Sequence, residues 1–150
     1  KKILETRPYK SITVEKIECK NHLLRNFCTR IRQIAATSTR SKNTVYLRKK
    51  IGENILRCRV AVSKATEYRL SQDVTDSERI RQLRLDILNI PSHVFGEHKN
   101  CISRGYFCEL RPETSTSQTN LVPALIDSNL YQQVSDVVRD LSRHCRSLIT

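Results

Sequence analysis

Apolar residues recur at helical spacing through the first half of the chain. Residues 20–36 carry an apolar position every three or four residues, which predicts a helix. The same spacing continues through residues 44–69 and predicts one long helix, which Gly52 weakens by about 1 kcal/mol relative to alanine. Residues 37–43, between the two segments, are polar and are predicted to form a loop.

Helix start and stop signals continue along the second half. Thr75 precedes Glu78 by three residues, which is the spacing of a capping box and predicts a helix start. Pro91 is predicted to end that helix, because the residue before a proline avoids helical geometry. Residues 114–120 are polar and low in complexity, which predicts a linker, and an apolar stripe over residues 127–149 predicts a last helix.

The first nineteen residues follow a different pattern. Residues 11–19 are rich in β-branched side chains that alternate with polar ones, which predicts a β-strand. Residues 1–7 are expected to be the end of a helix that Pro8 stops. The fold class predicted from the pattern is therefore mainly α, with one strand and at least four helices.

Composition supports this fold class. The chain has 150 residues and is 38% hydrophobic, which is enough for a core, and only three Gly and four Pro argue against an all-β protein. No apolar run reaches the roughly 18 residues that a membrane span needs. The chain contains no Met and begins with Lys1, so we expect it to be a piece of a longer protein.

Positive charge is concentrated between residues 20 and 69. This stretch holds thirteen Lys and Arg and only two acidic residues, so it carries +11 of the chain's net +12. A field of one sign over this length suits a polyanion, most commonly nucleic acid. A solvated helical face without a ligand and an anionic membrane surface are the alternatives. The predicted DNA-binding residues are Arg25, Arg30, Arg32, Arg40, Lys42, Arg48, Lys49, Lys50, Arg57, Arg59 and Lys64.

Cysteine and histidine residues occur at spacings typical of a zinc site. Zinc prefers four tetrahedral nitrogen and sulfur ligands, often supplied as two close pairs from distant parts of a chain. The predicted metal ligands are Cys19, His22, His93, His98, Cys101 and Cys108. Six cysteines in a secreted chain could instead form three disulfides, and Cys101 with His98 could form a nucleophilic dyad. The remaining cysteines, Cys28, Cys58 and Cys145, fall on apolar helix stripes and are predicted to be buried thiols.

Motifs for other chemistry are absent from the sequence. No glycine-rich phosphate loop, nucleophile elbow or H-E-x-x-H motif occurs. No pair of carboxylates suggests a site for two catalytic metals, so no catalytic residue is predicted within the chain.

Two segments resemble the Mutator-like transposase domain of eukaryotes. Residues 14–27 (VEKIECKNHLLRNF) are similar to the family's IEC-x-NH-x-x-(R/K)-N-(F/Y) segment. Residues 90–101 (IPSHVFGEHKNC) are similar to its H-x-x-(F/L)-G-x-H-x-x-C segment, and residues 106–108 (YFC) extend the match.

The resemblance implies a DNA cut-and-join enzyme of the DDE class, with an RNase H-like fold. Such an enzyme holds two divalent ions, Mg²⁺ or Mn²⁺, with three acids. The resemblance implies that the second catalytic Asp lies just before Lys1 and the catalytic Glu after Thr150. Residues 1–19 would then be the end of the RNase H-like core and residues 20–150 a helical insertion, with a His/Cys cluster at residues 93–108. The enzyme's catalytic acids would lie outside the chain.

The resemblance also implies partners and a ligand set. Related recombinases pair the positions of Cys19 and His22 with those of His93 and His98 around a structural zinc ion (Zn²⁺). DNA would be the partner, the nucleus the location, and a homo-oligomeric assembly is possible. A non-catalytic nuclear DNA-binding or interaction protein derived from a transposase is the alternative, and a secreted disulfide-bonded helical protein is a third.

Overall fold

The computed structural model describes residues 17–38, 41–101 and 119–150. These residues form eight helices and contain no strand, so the mainly α prediction is confirmed. Most of the predicted strand at residues 11–19 lies outside the described residues. Its described part, residues 17–19, does not form a strand. The helices are α1 Lys20–Ala36, α2 Lys42–Glu53, α3 Ile55–Leu70, α4 Asp76–Leu88, α5 Ile90–Val94, α6 Val122–Asp127, α7 Leu130–Ser142 and α8 Cys145–Ile149.

The helices pack around one apolar core. Helix α1 contacts α2, α3 and α7, while α4 contacts α3, α7 and α8. Ile31, Ile51, Leu83 and Leu130 lie where these helices meet, and each is fully buried. Burial of a side chain of this size contributes about 1.5–3 kcal/mol to stability. The stripes predicted from apolar spacing are therefore the buried faces of the helices.

The prediction of one long helix over residues 44–69 is wrong. The segment forms two helices, α2 and α3, which are separated at Asn54 with φ −101° and ψ 4°. The Asn54 side chain donates from Nδ2 to the carbonyl of Lys50 at 2.8 Å, and such side-chain bonds compete with regular helix geometry. Because of the break, α2 packs mainly on α1, and α3 packs mainly on α4.

The helix start predicted at Thr75 is confirmed, with Thr75 as the N-cap of α4. The Glu78 carboxylate accepts hydrogen bonds from Arg81 and Gln82 rather than completing the capping box. The backbone amide of Glu78 donates to Thr75 Oγ1 at 3.3 Å, and this bond satisfies one amide of the first helical turn. Helix α4 ends at Leu88, and Pro91 lies in the first turn of the short helix α5 rather than ending α4 directly. Proline is tolerated there because first-turn amides have no partner within the helix.

The predicted last helix, residues 127–149, is also divided. Helix α6 ends at Asp127, and Asn129, with φ 59°, separates it from α7. A second interruption at residues 143–144 separates α7 from α8. An apolar stripe alone misses these breaks, because the buried side chains keep their spacing across them. None of the described helices is both long enough and apolar enough to cross a bilayer.

Candidate metal centre and basic surface

A tight turn after α5 brings two histidines and a cysteine together. His93 lies in α5, and the chain then reverses at Gly96, whose φ of 99° is rarely adopted by other residues. A Cβ at Gly96 would meet the carbonyl oxygen of Thr119 at 2.8 Å, so the turn also requires glycine for space. The amide of Cys101 donates to the carbonyl of His98 at 2.9 Å and directs the chain back toward α5.

The three side chains form a group that could hold a metal ion. One ligand atom from each of His93, His98 and Cys101 lies within 4.8 Å of the other two. The Cys101 Sγ is 3.4 Å from His93 Nδ1, and the two imidazole rings meet edge to face with centroids 5.0 Å apart. Zinc bond lengths place neighbouring tetrahedral ligand atoms about 3.5 Å apart. A small contraction of this group would therefore accommodate zinc, and its nitrogen and sulfur donors match that metal.

The surroundings of the group keep His93 in the form that binds metal. Burial first, and then electrostatic interactions with His98 and Arg57, lower the pKa of His93 from 6.5 to about 4. At neutral pH the imidazole is therefore uncharged, which is the form that binds metals. Cys101 is 3% exposed, and its sulfur accepts a hydrogen bond from Asn89 Nδ2 at 3.6 Å. This burial shields the sulfur from bulky substrates, which argues against Cys101 and His98 acting as a nucleophilic dyad.

The structure does not bring Cys19 and His22 into this group. Both residues are exposed at the start of α1, and His22 Nε2 is 3.0 Å from Asn26 Nδ2. The adjacent backbone is held next to α8, because the amide of Glu18 donates to Ser147 Oγ at 3.2 Å. Neither residue of the pair therefore joins the group at the turn after α5. The other predicted ligand, Cys108, lies outside the described residues.

The remaining cysteines behave as predicted. Cys28, Cys58 and Cys145 are buried in the core, and burial raises the pKa of both Cys58 and Cys145 to about 12. The five cysteines in the described part of the chain form no disulfide with one another. The three-disulfide alternative therefore finds no support among these five residues.

Most of the predicted DNA-binding residues are exposed and make no ion pair within the described part of the chain. Seven of them are exposed and make no ion pair with any described residue: Arg25, Arg32, Lys42, Lys49, Arg57, Arg59 and Lys64. Cations elsewhere in the described chain are commonly paired with acids. These pairs include Arg81 with Glu78, Lys99 with Glu97, Arg139 with Asp136 and Arg143 with Asp140.

Three other members of the predicted set are engaged within the protein. Arg30 pairs with Asp140 at 2.8 Å, and Lys50 pairs with Glu53 at 2.8 Å. Arg48 donates to the carbonyl of Ile34, so its guanidinium ties α2 to the end of α1. Its role is at least partly structural, which charge counting along a sequence does not reveal. Arg40 lies outside the described residues.

Two neighbours of these sites were not indicated by the sequence. Asn89 contacts the sulfur of Cys101 from twelve residues away, and Asn54 accepts a hydrogen bond from Arg57 Nη1 at 2.9 Å. Neither asparagine belongs to a motif. The Asn89 contact depends on how the chain returns after α5, whereas the Asn54 contact depends on the local break between α2 and α3.

The fold and the site together define a basic helical module with a His/Cys group that could hold a metal ion. A family model described as Mutator-like transposase matches residues 1–108. The chain therefore belongs to the Mutator-like transposase family. No curated protein and no solved structure matches it.

Proposed function

We propose that this chain is a DNA-binding, zinc-stabilised module of a Mutator-like transposase. The observation that carries the proposal is the contrast in pairing between two groups of cations. Seven exposed Lys and Arg between residues 25 and 64 lack an ion-pair partner among the described residues, whereas cations elsewhere are commonly neutralised by nearby acids. Unpaired cations on adjoining helices are suited to phosphate groups, whose binding releases counterions from DNA.

Zinc would have a structural role in this module. His93, His98 and Cys101 supply three ligands, and a bound ion would join α5 to the loop that follows it. Zinc sites that stabilise folds are closed by four ligands. Cys108 stays a predicted fourth ligand from the sequence, and Cys19 and His22 stay candidates that mutation can test.

The whole enzyme would supply the rest of the chemistry. In a DDE transposase, three acids hold Mg²⁺ or Mn²⁺ for cutting and joining DNA, and we propose that these acids lie outside this chain. Residues 1–19 would belong to the RNase H-like core and residues 20–150 to its helical insertion. We further propose a nuclear location, where the DNA substrate is found, and a homo-oligomeric transposase assembly.

DNA binding can be tested with two variants that lose the same charge. The first replaces four unpaired cations, Lys42, Lys49, Arg59 and Lys64, by glutamine. The matched control replaces four cations that are paired elsewhere, Lys99, Arg81, Arg139 and Arg143, by glutamine. Both lower the net charge by four, so a non-specific charge effect would weaken DNA binding equally.

The readout is fluorescence anisotropy with a labelled DNA duplex from about 50 to 200 mM salt. We expect the first variant to lose most of its affinity, and the slope of log affinity against log salt to fall by up to about 3.6, which is about 0.9 for each lost phosphate contact. The control variant should stay near wild-type affinity. Equal losses in the two variants, or no DNA binding by the wild-type chain, would contradict the proposal.

A further inference from the structure

A cleft at the break between α2 and α3 has the chemistry of a phosphate site. Its volume is about 190 Å³, and one wall is formed by Tyr46, Lys50, Asn54 and Arg57. The rest of the cleft is lined by Val94, Phe95, Thr119 and Leu121. Two of the described lining residues are cationic and none is acidic, so the cleft favours an anion.

The break in the helix positions one of these cations. Asn54, the residue at the break, donates to the Lys50 carbonyl at 2.8 Å and accepts from Arg57 Nη1 at 2.9 Å. Its amide is fixed at both ends and therefore restrains the Arg57 guanidinium before any ligand arrives. A guanidinium has five N–H donors, and a planar fork of such donors matches phosphate oxygens.

The second cation is held beside an aromatic ring. The Lys50 Nζ lies 5.7 Å from the centroid of the Tyr46 ring and 2.8 Å from a carboxylate oxygen of Glu53. The Glu53 side chain is 44% exposed, so water weakens this pair and a phosphate could replace the carboxylate at little cost. Lys50 and Arg57 thus offer two cations to one small cleft.

The cleft lies next to the candidate metal centre. Val94 and Phe95, which line it, directly follow His93, and the amide of Leu121 donates to the Phe95 carbonyl at 2.8 Å. This hydrogen bond joins two of the segments that line the cleft. The turn that gathers the candidate metal ligands therefore also shapes the cleft.

We infer that this cleft binds one phosphate group of the DNA backbone, with Lys50 and Arg57 as the binding cations and Asn54 as a positioning residue. The inference rests on the proposed DNA binding and adds one site at which the nucleic acid would be fixed. The size of the cleft suits a phosphate group, whereas a base pair would not fit.

Three single variants separate the contribution of the Arg57 charge to duplex binding from that of its positioning by Asn54 and from the loss of any one charge. They are Arg57→Gln, Asn54→Ala and Arg84→Gln. Arg84 is an exposed cation on α4, outside residues 20–69, and its variant controls for the loss of one charge. Arg57→Gln should weaken binding of a labelled duplex about tenfold and lower the salt slope by about one. Asn54→Ala removes no charge, so it should weaken binding about threefold with an unchanged slope. Arg84→Gln should change affinity less than twofold.

Thermal melting of each variant shows whether the fold is retained. If Asn54→Ala alters the helix break, Lys50→Gln serves as a second variant that removes a binding cation of the cleft. Loss of affinity in Arg57→Gln that equals the loss in Arg84→Gln would overturn the inference while leaving the proposed DNA binding intact. Absence of duplex binding by the wild-type chain would overturn both. An Asn54→Ala change that weakens binding equally in the wild-type and Arg57→Gln backgrounds would show that this residue does not act through Arg57 and would contradict its positioning role.

Discussion

Arg69 and Asp86 are joined by a two-pronged ion pair between α3 and α4. Arg69 Nε is 2.6 Å from Asp86 Oδ2, and Nη2 is 3.1 Å from Oδ1. The Asp86 side chain is completely buried, and that of Arg69 is 13% exposed. Gln82 also accepts a hydrogen bond from the same guanidinium. A charge buried at a helix–helix contact is tolerated because its partner is fixed there.

Replacing Asp86 by alanine should therefore destabilise the chain strongly. The change leaves the Arg69 guanidinium partly buried without its carboxylate, and such a loss costs about 3–5 kcal/mol. Asp136→Ala is the matched control, because its pair with Arg139 is about half exposed and should contribute less than about 1 kcal/mol. Urea unfolding followed by circular dichroism measures both. Similar unfolding free energies for the two variants would contradict this account of the α3–α4 contact.

The two described glycines should respond oppositely to alanine. Gly52 is inside α2, and an added Cβ would meet Ala35 Cβ at 3.6 Å, which is an ordinary contact. Gly52→Ala should therefore raise the unfolding free energy by about 0.5–1 kcal/mol through helix propensity. Gly96 has a positive φ and no room for a Cβ, so Gly96→Ala should lower it by about 1–3 kcal/mol.

Thermal melting of the two glycine variants and the wild type provides the measurement. The contrast tests the turn that gathers the candidate metal ligands, because Gly96 faces Thr119 across it. If Gly96→Ala melts at or above the wild-type temperature, the backbone of that turn differs from the structure described.

The cysteines should differ in their reaction with iodoacetamide. Cys19 is exposed, and hydrogen bonds from the backbone amides of His22 and then Asn21 lower its pKa. Cys58 and Cys145 are buried, and burial raises the pKa of each to about 12. Since the thiolate is the reactive form, Cys19 should be alkylated first, and its reaction should begin at lower pH than for an ordinary thiol.

Mass spectrometry of peptides from partly alkylated native protein identifies the order of reaction. Unfolding in urea should make Cys58 and Cys145 as reactive as any exposed cysteine, which serves as the internal control. Early labelling of Cys58 in the native protein would show that α3 is not packed as described.

Periodicity and local motifs predicted much of the fold and part of the site. Helix α1 has the predicted bounds, and the Thr75 cap forms, because both depend on interactions within a few residues. The break at Asn54 was not predicted, since the apolar spacing continues across it and the cause is a side-chain hydrogen bond. Local spacing likewise paired His93 with His98, but the distance from either to Cys19 depends on how α1 packs.

Zinc content of the purified full chain and its variants tests the central claim most directly. We predict about one zinc per chain, loss of the metal in His98→Ala and Cys101→Ser, and retention in the double variant Cys19→Ser, His22→Ala. Loss of zinc in Cys108→Ser would identify the fourth ligand. A wild-type chain that binds no zinc would contradict the proposed metal centre. If the Cys19, His22 variant lost zinc while the His98 and Cys101 variants kept it, the result would contradict the ligand set of His93, His98 and Cys101.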